Sequence, residues 1–161
     1  MECNATLSAT KLNAKSTLQN WAGLDIERFG WEQFQRGEAH QKQKDQNQFK
    51  MILTENLTKA ATLSESLFHL ANHDFTVQIT RAFLKIENIH QYEALFIVDM
   101  KDFLSEKIRD VYKKAHSIKS DFNCDDFYIS FKFMPYTNML NFDCIQSDGF
   151  TLEYNSDARK K

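Results

Sequence analysis

Apolar residues recur at helical spacing through the middle of the chain and at strand spacing toward its end. From 45 to 72, Phe49, Leu53, Leu57, Ala60, Leu63, Leu67 and Leu70 follow at steps of four, four, three, three, four and three. Ile52, Ala61, Phe68 and Ala71 widen the stripe, which predicts an amphipathic helix with an apolar seam. The mean step of 3.5 also suits a helix paired with its copy across a dimer. Leu53, Leu57 and Leu67 are the residues that would make that contact.

The stretch "DFTVQITRAFLKIENI" (74–89) fits two periods. Phe75, Val77 and Ile79 alternate with polar neighbours as in a strand, yet Phe75, Ile79, Ala82, Phe83 and Ile86 fit a helix. The β-branched cluster favours a strand at its start. "YEALFIVD" (92–99) is apolar almost throughout and reads as a strand buried on both faces. A helix over 100–118 follows, with Leu104, Ile108, Val111, Ala115 and Ile118 as its core stripe. In "DFYISFKFM" (126–134), Phe127, Ile129, Phe131 and Phe133 share one face and Tyr128, Ser130 and Lys132 the other, a strand ended by Pro135. "SDGFTLEYN" (147–155) adds an Asp-Gly turn and a short strand with Phe150, Leu152 and Tyr154 inward.

Upstream, residues 16–37 open with a capping-box pair, Ser16 and Gln19, and carry Trp21, Ile26, Phe29, Trp31 and Phe34. Gly23, Gly30 and Gly37 fall seven apart. In one continuous helix each would cost about 1 kcal/mol relative to Ala, so short helical turns are expected. These readings predict an α+β fold: N-terminal helices, then a small mixed sheet in strand–helix–strand–strand order, with helices mainly on one face. A right-handed crossover makes strands 92–99 and 126–134 parallel. Residues 1–14 are expected to form a disordered tail and 156–161 to fray. The domain spans 15–155, with its helical part at 15–72 and its sheet part at 74–155.

Composition sharpens this. The 161 residues include only four Gly and one Pro, which argues for many helices and few tight hairpins, while fourteen Phe supply a substantial core. A net charge of −2 leaves no whole-chain footprint for nucleic acid or an anionic membrane. No apolar run is long enough to span a bilayer, and "MECNATLSATK" lacks a signal-peptide layout, so a cytoplasmic protein is expected. Cys3, Cys124 and Cys144 are odd in number and scattered, which reads as reduced thiols.

Candidate chemistry is sparse. Asp99 and Asp102 follow the apolar strand, where open α/β sheets collect ligands, and would serve a divalent-metal enzyme acting on a nucleotide or phosphate. They also suit the N-cap and first turn of the next helix, which is the preferred reading. His69, His73 and Asp74 have the one-turn spacing of a metal pair but lack the Glu that the His-Glu-x-x-His motif uses as base. Cys124 has acidic neighbours, Asp125 and Asp126, which oppose a reactive thiolate. Arg109 and His116 on one helix fall short of a nuclease motif. Arg36, Lys42, Lys44 and Lys50 give a polar 36–50 segment some basic character, too little for a nucleic-acid arm without stacking platforms. No cofactor is implied. The function expected is therefore a non-enzymatic interaction or regulatory domain that binds a protein partner or a second copy through the 45–72 helix. The metal enzyme is the alternative, and a weak nucleic-acid binder is the third reading.

Overall fold

The apolar stripe becomes a 27-residue helix, α1 (Gln43–His69). In the computed structural model, residues 17–23 and 43–155 are described, the side chains of 43–45 excepted. Leu57, Ala60, Leu63 and Leu67 point into the core, all at most 3% exposed, and Leu53 is fully buried. Thr58 and Ser64 can be buried too, because their hydroxyls donate to the carbonyls of Thr54 and Ala60, 2.7 and 2.8 Å away. The helix then widens into a π-helical turn, Leu70–Asp74. Asn72 closes that turn by accepting from the Ile79 amide at 3.0 Å.

Five strands form one sheet in the order β1-β5-β2-β3-β4: β1 (Trp21–Ala22), β2 (Ile79–Asn88), β3 (Gln91–Val98), β4 (Tyr128–Pro135) and β5 (Leu152–Tyr154). β3 and β4 are parallel, as the crossover requires, and the other neighbours are antiparallel. The fold class is α+β, as expected, but the element order differs. The ambiguous 74–89 segment supplies a full strand from Ile79, which adds a strand before β3. A second short helix, α4 (Phe142–Ser147), separates β4 from β5. A tight β2–β3 hairpin exists despite the scarcity of glycine. Asn88 makes the turn, its side-chain oxygen accepting from the His90 amide at 2.8 Å.

The helix after β3 is broken. A single turn, α2 (Met100–Phe103), precedes α3 (Ile108–Phe122). Ile108, Val111, Ala115 and Ile118 are buried as the stripe predicts, but Leu104 is 76% exposed. The break falls at Leu104, and Phe103 packs on the core in its stead. At the N-terminal end, Trp21 is buried in β1 beside β5 rather than in a helical turn. Gly23 follows at φ +93°, where a Cβ would collide with the Thr151 carbonyl oxygen. The residues Ile26, Phe29, Trp31, Phe34, Gly30 and Gly37, and the tails 1–14 and 156–161, lie outside the described residues.

Two cores flank the sheet. α1 and α3 share one face with Leu84, Phe96, Ile129 and Leu152. On the other, α4 covers Phe83, Leu95 and Ile97 with Ile145 and Phe150. β3 is thus buried on both faces from Ala94 to Val98, where its composition is apolar, while Gln91 is exposed and Glu93 half-buried at its start. Phe150 belongs to this second core and not to the face of Leu152 and Tyr154, because the strand begins only at Leu152. Arg81 secures α4. Its guanidinium lies 3.8 Å from the Phe142 ring centroid and bonds Glu153 at 2.6 Å.

β4 is an edge strand. Its Tyr128 amide donates to the His90 carbonyl, and the Tyr136 amide just past it donates to Val98, both at 2.7 Å. Even-numbered amides therefore address β3, and Ile129, Phe131 and Phe133 turn their backbone groups outward. Asn123 occupies the first of these, donating to the Ile129 carbonyl at 3.0 Å and accepting from its amide at 2.8 Å.

Candidate functional site

Parallel pairing brings the ends of β3 and β4 together, so the segments that leave them form one surface. Asp99 is the N-cap of α2, its carboxylate accepting from the Lys101 amide at 3.0 Å. Asp102 lies in the first turn, and its Oδ2 accepts from the Gln78 amide at 2.8 Å, tying α2 to the segment before β2. Each carboxylate thus serves a different backbone amide. Among the described residues no group of three or more His, Cys, Asp or Glu could hold a metal ion. Asp102→Ala should lower stability by about 0.5–1.5 kcal/mol, the net worth of one exposed hydrogen bond, in urea unfolding. Asp102→Asn, which keeps an acceptor, should retain most of it.

Apolar groups crowd the same end. Leu104 on the broken helix and Met139 in the turn after β4 are 76% and 93% exposed, and Met100 and Tyr136 on the same two segments are exposed as well. Scattered single apolar residues are ordinary on a surface, but these four all lie on the two segments that leave the same end of the sheet.

The other predicted residues lie elsewhere. Leu53, Leu57 and Leu67 are buried within the chain itself. The His69 ring is half-buried, its Nε2 3.1 Å from the Tyr154 hydroxyl of β5. The His73 ring stacks on it, the centroids 6.0 Å apart, while Asp74 is exposed. Lys50 is half-buried on α1 and Lys44 lies in its first turns, whereas Arg36 and Lys42 fall outside the described residues. Arg109 and His116 are exposed on α3. Cys144 is a free, exposed thiol, but Cys124 is disulfide-bonded, which corrects the reading of three reduced thiols.

A second surface comes from the sheet. α4 covers only the half of its face where β3 and β4 end. Over the other half lies an open hollow of about 290 Å³ lined by Glu87, Gln91, Tyr92, Glu93, Tyr128 and Ser130. Register builds it: Gln91 stands beside Tyr128 and Glu93 beside Ser130 across the parallel pair. Lys132 bonds Glu93 at 2.5 Å and Lys85 bonds Glu87 at 2.8 Å. The hydrogen bond to Glu87 holds the Lys85 ammonium pKa above its ordinary value. The Lys85 stem crosses Gly149, whose φ of +103° and missing Cβ leave room for it.

The alternation in β4 signals that Tyr128 is the aromatic outside, but not that a hollow lies beside it, since Glu93 arrives through pairing. Leu104 and Met139 escape sequence reasoning because one sits at core spacing and the other in an unpatterned loop. Compared with known protein families, curated proteins and solved structures, the chain matches none. Among the described residues no helix is long and apolar enough to cross a membrane.

Proposed function

We propose that the chain is a non-enzymatic protein-interaction domain whose contact surface is the end of the sheet where β3 and β4 finish. The observation that carries this reading is the projection of Leu104 and Met139, 76% and 93% exposed, from two adjoining segments. Large apolar side chains held so far out lose little on folding and gain when a partner's recess takes them from water, at about 25 cal/mol per Å². The 45–72 seam supports the fold instead, because its leucines are spent on the sheet. A second copy of the chain and a different protein are both admissible partners.

A photo-crosslinking residue at position 139 tests the proposal against one at exposed Lys113. The expected result is a discrete adduct, with self or with another protein, from position 139 alone, and its loss in Leu104→Glu. The same adducts from both positions, or an adduct indifferent to Leu104→Glu, would overturn it.

A cytoplasmic location, proposed from the chain's composition, competes with the disulfide at Cys124, which a reducing cytosol would open. Counting free thiols in protein taken directly from its compartment decides between them.

A further inference from the structure

The hollow on the uncovered half of the sheet lies apart from the apolar end, and its chemistry is different. It is lined by two carboxylates, an amide, a hydroxyl, the exposed Tyr128 and the buried Tyr92. An anion is disfavoured there, because Glu87 and Glu93 both line the wall. A cation would have to displace Lys85 and Lys132 from carboxylates at 2.8 and 2.5 Å. An apolar ligand would leave those polar groups without water, which costs more than the ring returns.

A neutral ligand rich in hydroxyls meets none of these obstacles. A carboxylate that accepts one lysine bond keeps lone pairs for further donors. Tyr128, 44% exposed, lines the hollow; the Lys119 ammonium stands over one face of its ring, 5.8 Å from the centroid, which leaves the other face for an apolar C–H surface. The volume of about 290 Å³ lies at the small end for ligand sites and suits a contact with one ring.

We propose that this hollow binds a single pyranose unit, its C–H face on Tyr128 and its hydroxyls bonded to Glu93 and Ser130. Glu93 accepts from the sugar, Ser130 donates or accepts, and the two lysines hold the carboxylates in place. This surface is independent of the interaction end, and either can fail without the other.

The test titrates the isotope-labelled full chain with methyl glycosides of glucose, mannose and N-acetylglucosamine, following backbone amides by nuclear magnetic resonance. Choline chloride and sodium phosphate supply the cation and anion arms. The expected result is saturable shifts with at least one glycoside at Gln91, Glu93, Tyr128 and Ser130, and none there with choline or phosphate. Tyr128→Ala should weaken binding roughly tenfold, the size of one stacking contact. Ser130→Ala should weaken it as well and repeats the test without touching the ring. No shifts with any glycoside, unchanged affinity in both variants, or equal shifts with choline or phosphate would overturn the proposal.

Discussion

Leu57→Ala should destabilise the chain by about 2–5 kcal/mol, well beyond what a surface substitution costs. Leu57 is 1% exposed and lies in the main core between α1 and the sheet. Shortening it removes buried methyl groups and leaves a cavity that the surrounding side chains, packed to interior density, refill only in part. Against a total of about 5–15 kcal/mol for an ordinary domain, this is a large fraction. Urea unfolding should show the midpoint falling by about 1 M or more, with an unchanged slope. The same experiment separates two uses of the seam. If its leucines serve the fold, Leu57→Ala and Leu67→Ala lose stability while the folded fraction sediments like the parent chain. A variant that keeps its stability but changes its association state would show that α1 leaves the sheet to pair with a copy.

The elements most legible in the sequence are those whose two faces differ. Phe127, Ile129, Phe131 and Phe133 alternate with polar residues, and that period fits only a strand with one buried side. The stripe of α1 repeats often enough that no other structure would bury it. Residues 74–89 are ambiguous in sequence because Phe75 and Ile79 belong both to an alternating pattern with Val77 and to a helical one with Ala82, Phe83 and Ile86. Pairing settles the question. β2 runs along β3 from Ile79 against Val98 to Asn88 against Gln91, and burial on both faces then accounts for the missing alternation. Leu104 shows the limit of spacing as evidence, since it continues a stripe that the backbone has already left.

The candidate surfaces are less legible still, for a geometric reason. Glu93 and Ser130 are 37 residues apart and meet only because a crossover aligns β3 with β4. Asp99 and Asp102 look alike in the sequence, one turn apart. One carboxylate caps its own helix while the other reaches back to Gln78, a difference that spacing does not encode. Local chemistry is readable wherever its partner is local, as at the Asp99 cap.

Asn123→Ala should convert a guarded strand edge into an adhesive one. Asn123 answers both backbone groups of Ile129, at 3.0 and 2.8 Å, as a neighbouring strand would. Its loss should cost about 1–3 kcal/mol for leaving those groups without their partner. The consequence for association is larger. Among the described residues β4 has no neighbour on its outer side, and Pro135 ends the edge without an amide. With Ile129 guarded, antiparallel self-pairing can use only Phe131 and Phe133, and pairing one with the other sets Lys132 directly against its copy, which repels. Freeing Ile129 opens another register, centred on Phe131, in which Ile129 meets Phe133 and Lys132 faces Ser130. Light scattering of Asn123→Ala should therefore show concentration-dependent association beyond that of the parent chain. Adding Ser130→Lys should reverse it by setting two lysines opposite each other in that register. If association persists in the double variant, the contact lies elsewhere and Asn123 serves only to hold the end of α3 against β4.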